Sequence, residues 1–335
     1  MKETVLPISV RLRPPALAAR CAEVLLAGGL AAAVSAATFG LMSWAEAPAQ
    51  AVLPSQVRWA AAVGRLADAR PRPLTHALAA PPARHQDRAC SPHAALTAAL
   101  APVVGGQTGS LAVGVIDLSR GVTVSYHPHE LFHTASIVKA DILATLLLQL
   151  QRQQAGPSPA EQELATAMIE ESDNDAASAL WGSIGAAPGL AAANRVLGLH
   201  RTEPGPAGLW GLTATTVTDQ LALLAALTSA HSPLTAASRH YELDLMRSVE
   251  PGENWGVTAS ADPGSGPAVK NGWLPDGSES GLWVINSIGV LRHDGQRLLV
   301  AVLSSGQPTE AVGISQVQAA ARAAAASVTQ PACPG

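Results

Sequence analysis

Strand-like and helical segments follow one another along this chain in an order that few folds accommodate. Two apolar, strand-like runs joined by the turn Ser119–Gly121 predict a hairpin, and three more follow a long helical middle region. The strand-like runs span residues 110–118, 122–126, 268–274, 282–291 and 298–303. The helical patterns span residues 91–101, 136–151, 159–184, 190–197, 215–227, 234–249 and 309–328. This order predicts an α+β fold: an antiparallel five-stranded sheet flanked by helices in three α/β/α layers, with an all-helical lobe inserted after its second strand.

The first 47 residues have the pattern of a segment that enters a membrane. Lys2 and three arginines precede residues 24–44, a run without a charged side chain. That length suits a transmembrane anchor, whereas Ala45-Glu46-Ala47 resembles a signal-peptide cleavage site, so both interpretations stay open. Either one places the rest of the chain outside the cytoplasm, secreted or anchored on the outer face of the cytoplasmic membrane. Residues 48–88, rich in Pro, Arg and Ala, are interpreted as a linker, and residues 89–335 as the folded domain.

Charge and cysteine content exclude one class of function and suggest one covalent link. The formal net charge is −4 and no basic run lies outside the N-terminal segment, so the sequence has no electrostatic footprint for nucleic acid. Cys21 precedes the apolar run, whereas Cys90 and Cys333 lie near the two ends of the expected domain. In an oxidising compartment we expect this pair to form a disulfide, and two free thiols are the alternative.

Ser136 and Lys139 form the first candidate catalytic pair. Three residues apart, they would lie on the same face of a helix, and a serine becomes a good nucleophile only when a neighbouring group accepts its proton. Lysine occurs only at positions 2, 139 and 270, while every other basic side chain is Arg or His. Because Arg cannot act as a base, this usage indicates that the amine itself matters at positions 139 and 270, although a composition bias is the alternative.

Two further tripeptides place several polar side chains next to one another. Ser172-Asp173-Asn174 lies in the helical region, and Lys270-Asn271-Gly272 precedes Trp273 on a strand-like run. Taken alone, the first is equally typical of a helix cap and the second of a strand-end turn.

Together, the three segments resemble the S-x-x-K, S-D-N and K-T-G signature of class A β-lactamases and penicillin-binding proteins. The resemblance covers roughly residues 90–328, and Phe132 is similar to the aromatic residue that the family has before its serine. It implies that Ser136 is acylated, that Lys139 takes its proton, and that Ser172 relays a proton to the leaving nitrogen.

The resemblance also implies roles for the remaining residues of these segments. Asn174 would bind the substrate's amide side chain and the catalytic lysine, and Asp173 would be structural. Lys270 would hold the relay hydroxyl and attract a substrate carboxylate, with Asn271 and Gly272 beside it. Backbone N–H groups of Ser136 and Trp273 would form the oxyanion hole.

The sequence departs from the family at three points. Asn271 stands where the family usually has Thr or Ser, which puts carboxylate recognition in doubt. The interval between Ser136 and Ser172 is much shorter than in class A enzymes, which implies a trimmed helical lobe. The E-x-x-L-N pattern of the deacylating glutamate is missing, and Glu203 is the candidate base, with an exposed turn carboxylate as the alternative.

The sequence therefore predicts an exported serine hydrolase that is acylated at Ser136 by a β-lactam or related amide and then hydrolyses the acyl group. We expect no metal and no organic cofactor, since no further Cys or His falls at metal-ligand spacing and a polar loop explains the histidines at 127, 129 and 133. The expected ligand is a small β-lactam or peptidoglycan-like substrate, the expected membrane contact is the N-terminal segment alone, and a monomer is expected. The alternatives are a penicillin-binding protein or D-alanyl-D-alanine peptidase, and a non-catalytic cell-envelope binding protein on the same fold.

Overall fold

A computed structural model describes residues 91–105, 109–275 and 281–329 of the chain. The strands are β1 (Ser110–Asp117), β2 (Val122–Tyr126), β3 (Phe132–His133), β4 (Ala214–Thr215), β5 (Ala268–Pro275), β6 (Trp283–His293) and β7 (Gln296–Gln307). The α-helices are α1 (Pro92–Val104), α2 (Val138–Arg152), α3 (Pro159–Glu170), α4 (Asn174–Ser183), α5 (Ala186–Leu197), α6 (Val217–Thr228), α7 (Ala236–Arg247) and α8 (Glu310–Thr329).

Five strands form one sheet in the order β2-β1-β7-β6-β5, and every neighbouring pair is antiparallel. The hairpin of β1 and β2 pairs Val115 with Val124, and on its other side Val115 pairs with Val300 of β7. The predicted antiparallel five-stranded sheet is therefore confirmed. Since β5 is an edge strand, alternate backbone N–H groups along it face away from the sheet.

Both faces of the sheet are buried, which gives the molecule three layers. Along β7, Leu298, Val300 and Val302 pack with apolar residues of α1 and α8. The alternate residues Leu299, Ala301 and Leu303 pack against the helical lobe formed by α2 to α7. Because successive side chains of a strand point to opposite faces, one apolar run supplies both cores. The predicted α/β/α arrangement with an inserted helical lobe is confirmed.

The single helix predicted over residues 159–184 is wrong. α3 ends at Glu170, Ser172 has a positive φ of 58°, and α4 begins at Asn174. The side chain of Asp173 caps the new helix by accepting a hydrogen bond from the Ala176 backbone N–H at 2.6 Å. The left-handed conformation of Ser172 ends the first helix, and the Asp173 cap starts the second. The apolar periodicity nevertheless continues through both helices.

Two carboxyl groups are buried inside the helical lobe. Asp141 lies on α2 and Glu242 on α7, and both side chains are almost fully inaccessible to solvent. Burial raises the pKa of Asp141 to about 7 and the pKa of Glu242 well above its ordinary value. The lobe therefore contains two carboxyl groups that favour the protonated form.

Several sequence predictions fall on residues that the structure does not describe. These are the signal peptide or anchor over residues 1–47, the linker over 48–88, and the pair Cys90 and Cys333, which lie outside the described residues and stay predictions. Within the described ranges, no helix is both long and apolar enough to cross a membrane.

Candidate active site

Ser136 lies in a short 3-10 turn, Ala135–Ile137, that leads directly into α2. Ala135 has a positive φ of 48°, so the chain makes a sharp bend immediately before the serine. Lys139 follows Ser136 by one turn and is fully buried, while Ser136 is half-buried and borders a cavity. The predicted serine and lysine are therefore on one helical face, with the serine facing the open side.

The hydroxyl of Ser172 contacts both buried lysines. It accepts a hydrogen bond from Lys139 Nζ at 3.2 Å and another from Lys270 Nζ at 3.0 Å. Lys139 Nζ also donates to Asn174 Oδ1 at 2.8 Å and to the Ser172 carbonyl oxygen. The break between α3 and α4 thus turns the Ser172 hydroxyl and the Asn174 amide toward the same ammonium group.

Burial lowers the pKa values of both lysines, and repulsion by Lys270 lowers the pKa of Lys139 further. Burial, followed by the nearby charge of Lys270, lowers the pKa of Lys139 to about 7. Burial also lowers the pKa of Lys270 to about 8, and the Glu253 carboxylate opposes this change. The centre of the Trp210 ring lies 5.1 Å from Lys139 Nζ. This cation–π contact partly offsets the cost of burying the charged form of Lys139. Near neutral pH, Lys139 is present in both the protonated and the neutral form.

β5 approaches the bend before α2 more closely than a side chain would permit. A Cβ atom on Gly272 would lie 2.6 Å from the backbone nitrogen of Ser136 and 2.8 Å from the carbonyl oxygen of Thr134. Asn286 of the adjacent strand donates to the carbonyl oxygens of His133 and Thr134 at 2.8 and 3.0 Å, which fixes the same bend. Gly272 therefore allows the edge strand that contains Trp273 to lie beside Ser136.

A cavity of about 650 Å³ lies over these groups. Its polar lining includes Ser136, Ser172, Asn174, Ser178, Glu171 and Glu253. Its apolar lining includes Leu209, Trp210, Leu212, Trp273 and Leu274. A pocket with a mostly apolar wall and a few convergent polar groups is the usual form of a small-molecule site.

Not every predicted site residue borders this cavity. Asn271 and Gly272 are buried next to it, and Asn271 donates its amide hydrogens to the carbonyl oxygens of Glu253 and Trp255 at 2.6 and 3.2 Å. Glu203 is exposed, and its backbone pairs with Ala214 at the end of the small sheet formed by β3 and β4. The structure thus leaves Glu203 outside the residues that line the cavity.

Sequence reasoning missed three residues that shape the site. Glu253 borders the cavity with Oε2 at 3.9 Å from Lys270 Nζ, Trp210 faces Lys139, and Asn286 anchors the bend. None belongs to a motif, and each reaches the site through a tertiary contact with a distant segment. The one available signal was the polar pair Asn286 and Ser287 within a mainly apolar strand run.

The chain is similar to one described family and to one group of relatives. Residues 149–330 match the family described as "Beta-lactamase enzyme family", a range that begins after Ser136 and Lys139. The relative "Putative lipoprotein LppW" of Mycobacterium tuberculosis is 29% identical over 210 residues, covering 60% of this chain and 64% of that protein. The chain thus spans less than two thirds of that relative's length.

Solved structures share the fold at low sequence identity. A β-lactamase from Xanthomonas campestris has a TM-score of 0.60 and 22% identity, covering 70% of this chain and 97% of that structure. The structure of PBP-A has a TM-score of 0.60 and 20% identity, covering 69% of this chain and 94% of that structure. At these identities the likeness concerns the fold alone.

Proposed function

Because the chain belongs to the β-lactamase enzyme family, we propose that it is a serine hydrolase in which a β-lactam or related amide acylates Ser136. The observation that carries this proposal is the hydroxyl of Ser172, which accepts hydrogen bonds from two buried lysines. Lys139 lies one turn from Ser136, and its pKa of about 7 makes a neutral amine available near pH 7. A helix start with ordinary structural side chains would not need two desolvated amines around one hydroxyl.

Ser136 and Ser172 in the cavity lining and the lysines buried beside them have defined parts in this chemistry. Ser136 Oγ attacks the carbonyl carbon while the neutral amine of Lys139 takes its proton. Backbone N–H groups of Ser136 and Trp273 stabilise the negative charge that develops on the carbonyl oxygen. As the C–N bond breaks, Ser172 gives its proton to the departing nitrogen and receives one from an adjacent ammonium group. The product of this half-reaction is an ester on Ser136 and a free amine.

Deacylation distinguishes the β-lactamase reaction from a second candidate function. The second candidate is a penicillin-binding protein or D-alanyl-D-alanine peptidase, which forms the same acyl-enzyme but releases it slowly. It is favoured by the exposed position of Glu203 outside the cavity lining. Glu171 and Glu253 are the carboxylates in that lining, and Glu253 is next to Lys270. We therefore expect acylation to be faster than hydrolysis of the ester.

We also propose that the protein works outside the cytoplasm, secreted or anchored on the outer face of the membrane. The uncharged run over residues 24–44 supports this location. The lipoprotein name of the mycobacterial relative is in keeping with a place in the cell envelope. A β-lactam or a peptidoglycan-like amide would meet the enzyme in that compartment.

The test is to incubate the protein with a fluorescent penicillin and a chromogenic cephalosporin and to follow the adduct by mass spectrometry. We expect a label that maps to Ser136 and is lost in Ser136→Ala. Ser178→Ala, which changes another serine of the cavity lining, is the matched control and keeps the label.

The lifetime of the adduct separates the two candidate functions. An adduct that decays with release of product identifies a β-lactamase-type hydrolase, and slower decay in Glu203→Gln would assign the base to Glu203. A persistent adduct identifies the penicillin-binding type. No adduct with either probe would refute acylation at Ser136 and leave only the fold.

A further inference from the structure

A separate pocket of about 320 Å³ lies near the end of the sheet where a two-residue turn joins β6 to β7. Three arginines line it: Arg292 on β6, Arg297 on β7 and Arg247 at the end of α7. The rest of its lining is Ser265, Gly266, Val290 and Leu291. None of these residues borders the cavity over Ser136, so this pocket is distinct from the candidate active site.

The fold brings positive charges together at this pocket. Arg292 and Arg297 lie directly opposite each other in the antiparallel pair of β6 and β7, so their side chains share one face of the sheet. Like charges at opposite positions destabilise a sheet. Burial, followed by the nearby charges of Arg247 and Arg292, lowers the pKa of Arg297. The three guanidinium groups therefore repel one another when no ligand is bound.

The acids near the pocket do not line it, and each has other partners. Asp244 accepts a hydrogen bond from Arg247 at 2.6 Å, with 71% of its own side chain exposed. Asp262 accepts the two backbone N–H groups of the turn between β6 and β7, both at 2.9 Å. Asp294 accepts from the hydroxyl of Thr329 at 3.2 Å. Among the described residues, the arginines of β6 and β7 form no ion pair, so their charges remain available to an anion.

We infer that this arginine pocket binds a phosphoryl group. Arg247 and Arg292 are exposed and Arg297 is half-buried, so all three guanidinium groups are open to a ligand. A carboxylate has one charge and two oxygens, which satisfy one guanidinium fork. A phosphate monoester has three terminal oxygens and about −1.5 to −2 charges near pH 7, and can therefore accept from several forks at once. The ligand class is phosphate esters, and the inference does not depend on acylation at Ser136.

The experiment measures the binding of inorganic phosphate by calorimetry at constant ionic strength, because added salt would itself screen the arginines. We expect saturable binding with a dissociation constant on the order of 1 mM, since a few charge-assisted hydrogen bonds must offset the cost of association. Acetate, a carboxylate, should bind about 10-fold more weakly or worse. Arg297→Gln should weaken phosphate binding by about 10-fold or more, the range for losing hydrogen bonds between charged groups.

Arg195→Gln is the matched control, since Arg195 is an exposed arginine of α5 outside the pocket lining, and it should leave phosphate binding unchanged. Arg292→Gln repeats the test at an exposed position if Arg297→Gln does not fold. The inference is overturned by a lack of saturable binding, by acetate that binds as tightly as phosphate, or by phosphate binding that survives both substitutions in the pocket.

A second arm identifies the source of the phosphoryl group. The protein and Arg297→Gln are sedimented with vesicles that contain phosphatidylglycerol. Vesicle binding that Arg297→Gln weakens assigns the group to a lipid headgroup. Vesicle binding that Arg297→Gln leaves unchanged, while binding of inorganic phosphate is lost, assigns it to a soluble phosphate ester.

Discussion

The dependence of acylation on pH tests the role of Lys139 directly. Only the neutral amine can take the proton of Ser136, and burial beside Lys270 lowers the pKa of Lys139 to about 7. The neutral fraction is then about 10% at pH 6, about half at pH 7 and about 90% at pH 8. The acylation rate should therefore rise about 10-fold from pH 6 to pH 8. Lys270, with a pKa of about 8, titrates next, so the rate should level off or fall at higher pH.

A lysine with an ordinary pKa gives a different curve. Its neutral fraction would rise about 100-fold between pH 6 and pH 8 and would continue to rise beyond pH 9. Between pH 6 and pH 8, the increase in acylation rate expected for an ordinary lysine is therefore about 10-fold larger than the increase expected for the buried Lys139. The shape of the profile therefore reports whether the amine is desolvated in the working enzyme.

The assay measures the initial rate at which a fluorescent penicillin, in excess of protein, labels the protein covalently, from pH 5.5 to pH 10. Lys139→Arg is the control, because guanidinium stays protonated throughout, and we expect a low rate without an inflection near pH 7. Glu253→Gln should move the inflection to lower pH, since the Glu253 carboxylate raises the pKa of Lys139. A rate that keeps rising in proportion to hydroxide up to pH 10 would refute Lys139 as the desolvated base.

Three further outcomes follow from the structure. Gly272→Ala places a Cβ atom 2.6 Å from the backbone nitrogen of Ser136, so we expect the acylation rate to fall about 100-fold or more through displacement of the oxyanion donors, measured with the same penicillin. Asp141→Asn should reduce the loss of unfolding free energy between about pH 4 and pH 7 by up to about 4 kcal/mol, because a carboxyl whose pKa is raised from 3.8 to about 7 destabilises the fold progressively as pH rises through that window. The buried Glu242, whose pKa is also raised, keeps its own part of that loss. Urea unfolding at pH 4.5 and 7.5 checks this, and Asp244→Asn, an exposed acid of α7, should change the difference by less than about 1 kcal/mol. Asp173→Ala removes the cap of α4 and should lower the unfolding free energy by about 1 kcal/mol, which an unchanged urea midpoint would contradict.

The sheet and its layers could be predicted from the sequence because their signal is local. Runs such as 298–303 are apolar at every position, which is the pattern of a strand buried on both faces, and β7 is indeed covered by helices on both sides. The hairpin was predictable from the short turn between β1 and β2. Strand ends were less accurate, since β7 extends to Gln307 through polar residues that pair with β6.

The break between α3 and α4 could not be predicted from periodicity. Apolar residues continue in helical register from Leu164 to Leu180, and the break depends on the φ of Ser172 and on one side-chain cap, that of Asp173. The tripeptide was recognised by its motif, but periodicity does not reveal that two distant lysines contact the Ser172 hydroxyl. The segment that interrupts the helix is therefore also the segment that contacts both lysines.

Glu253 shows why the charge balance of the site was hidden in the sequence. It belongs to no motif, and it reaches Lys270 because the buried Asn271 amide holds its backbone. Its carboxylate raises the pKa of both lysines. Glu253→Gln is thus expected to lower the pH at which the acylation rate has its inflection, because a neutral amide no longer stabilises the protonated form of Lys139. An inflection that stays at the same pH in Glu253→Gln would show that this carboxylate does not control the strength of the base.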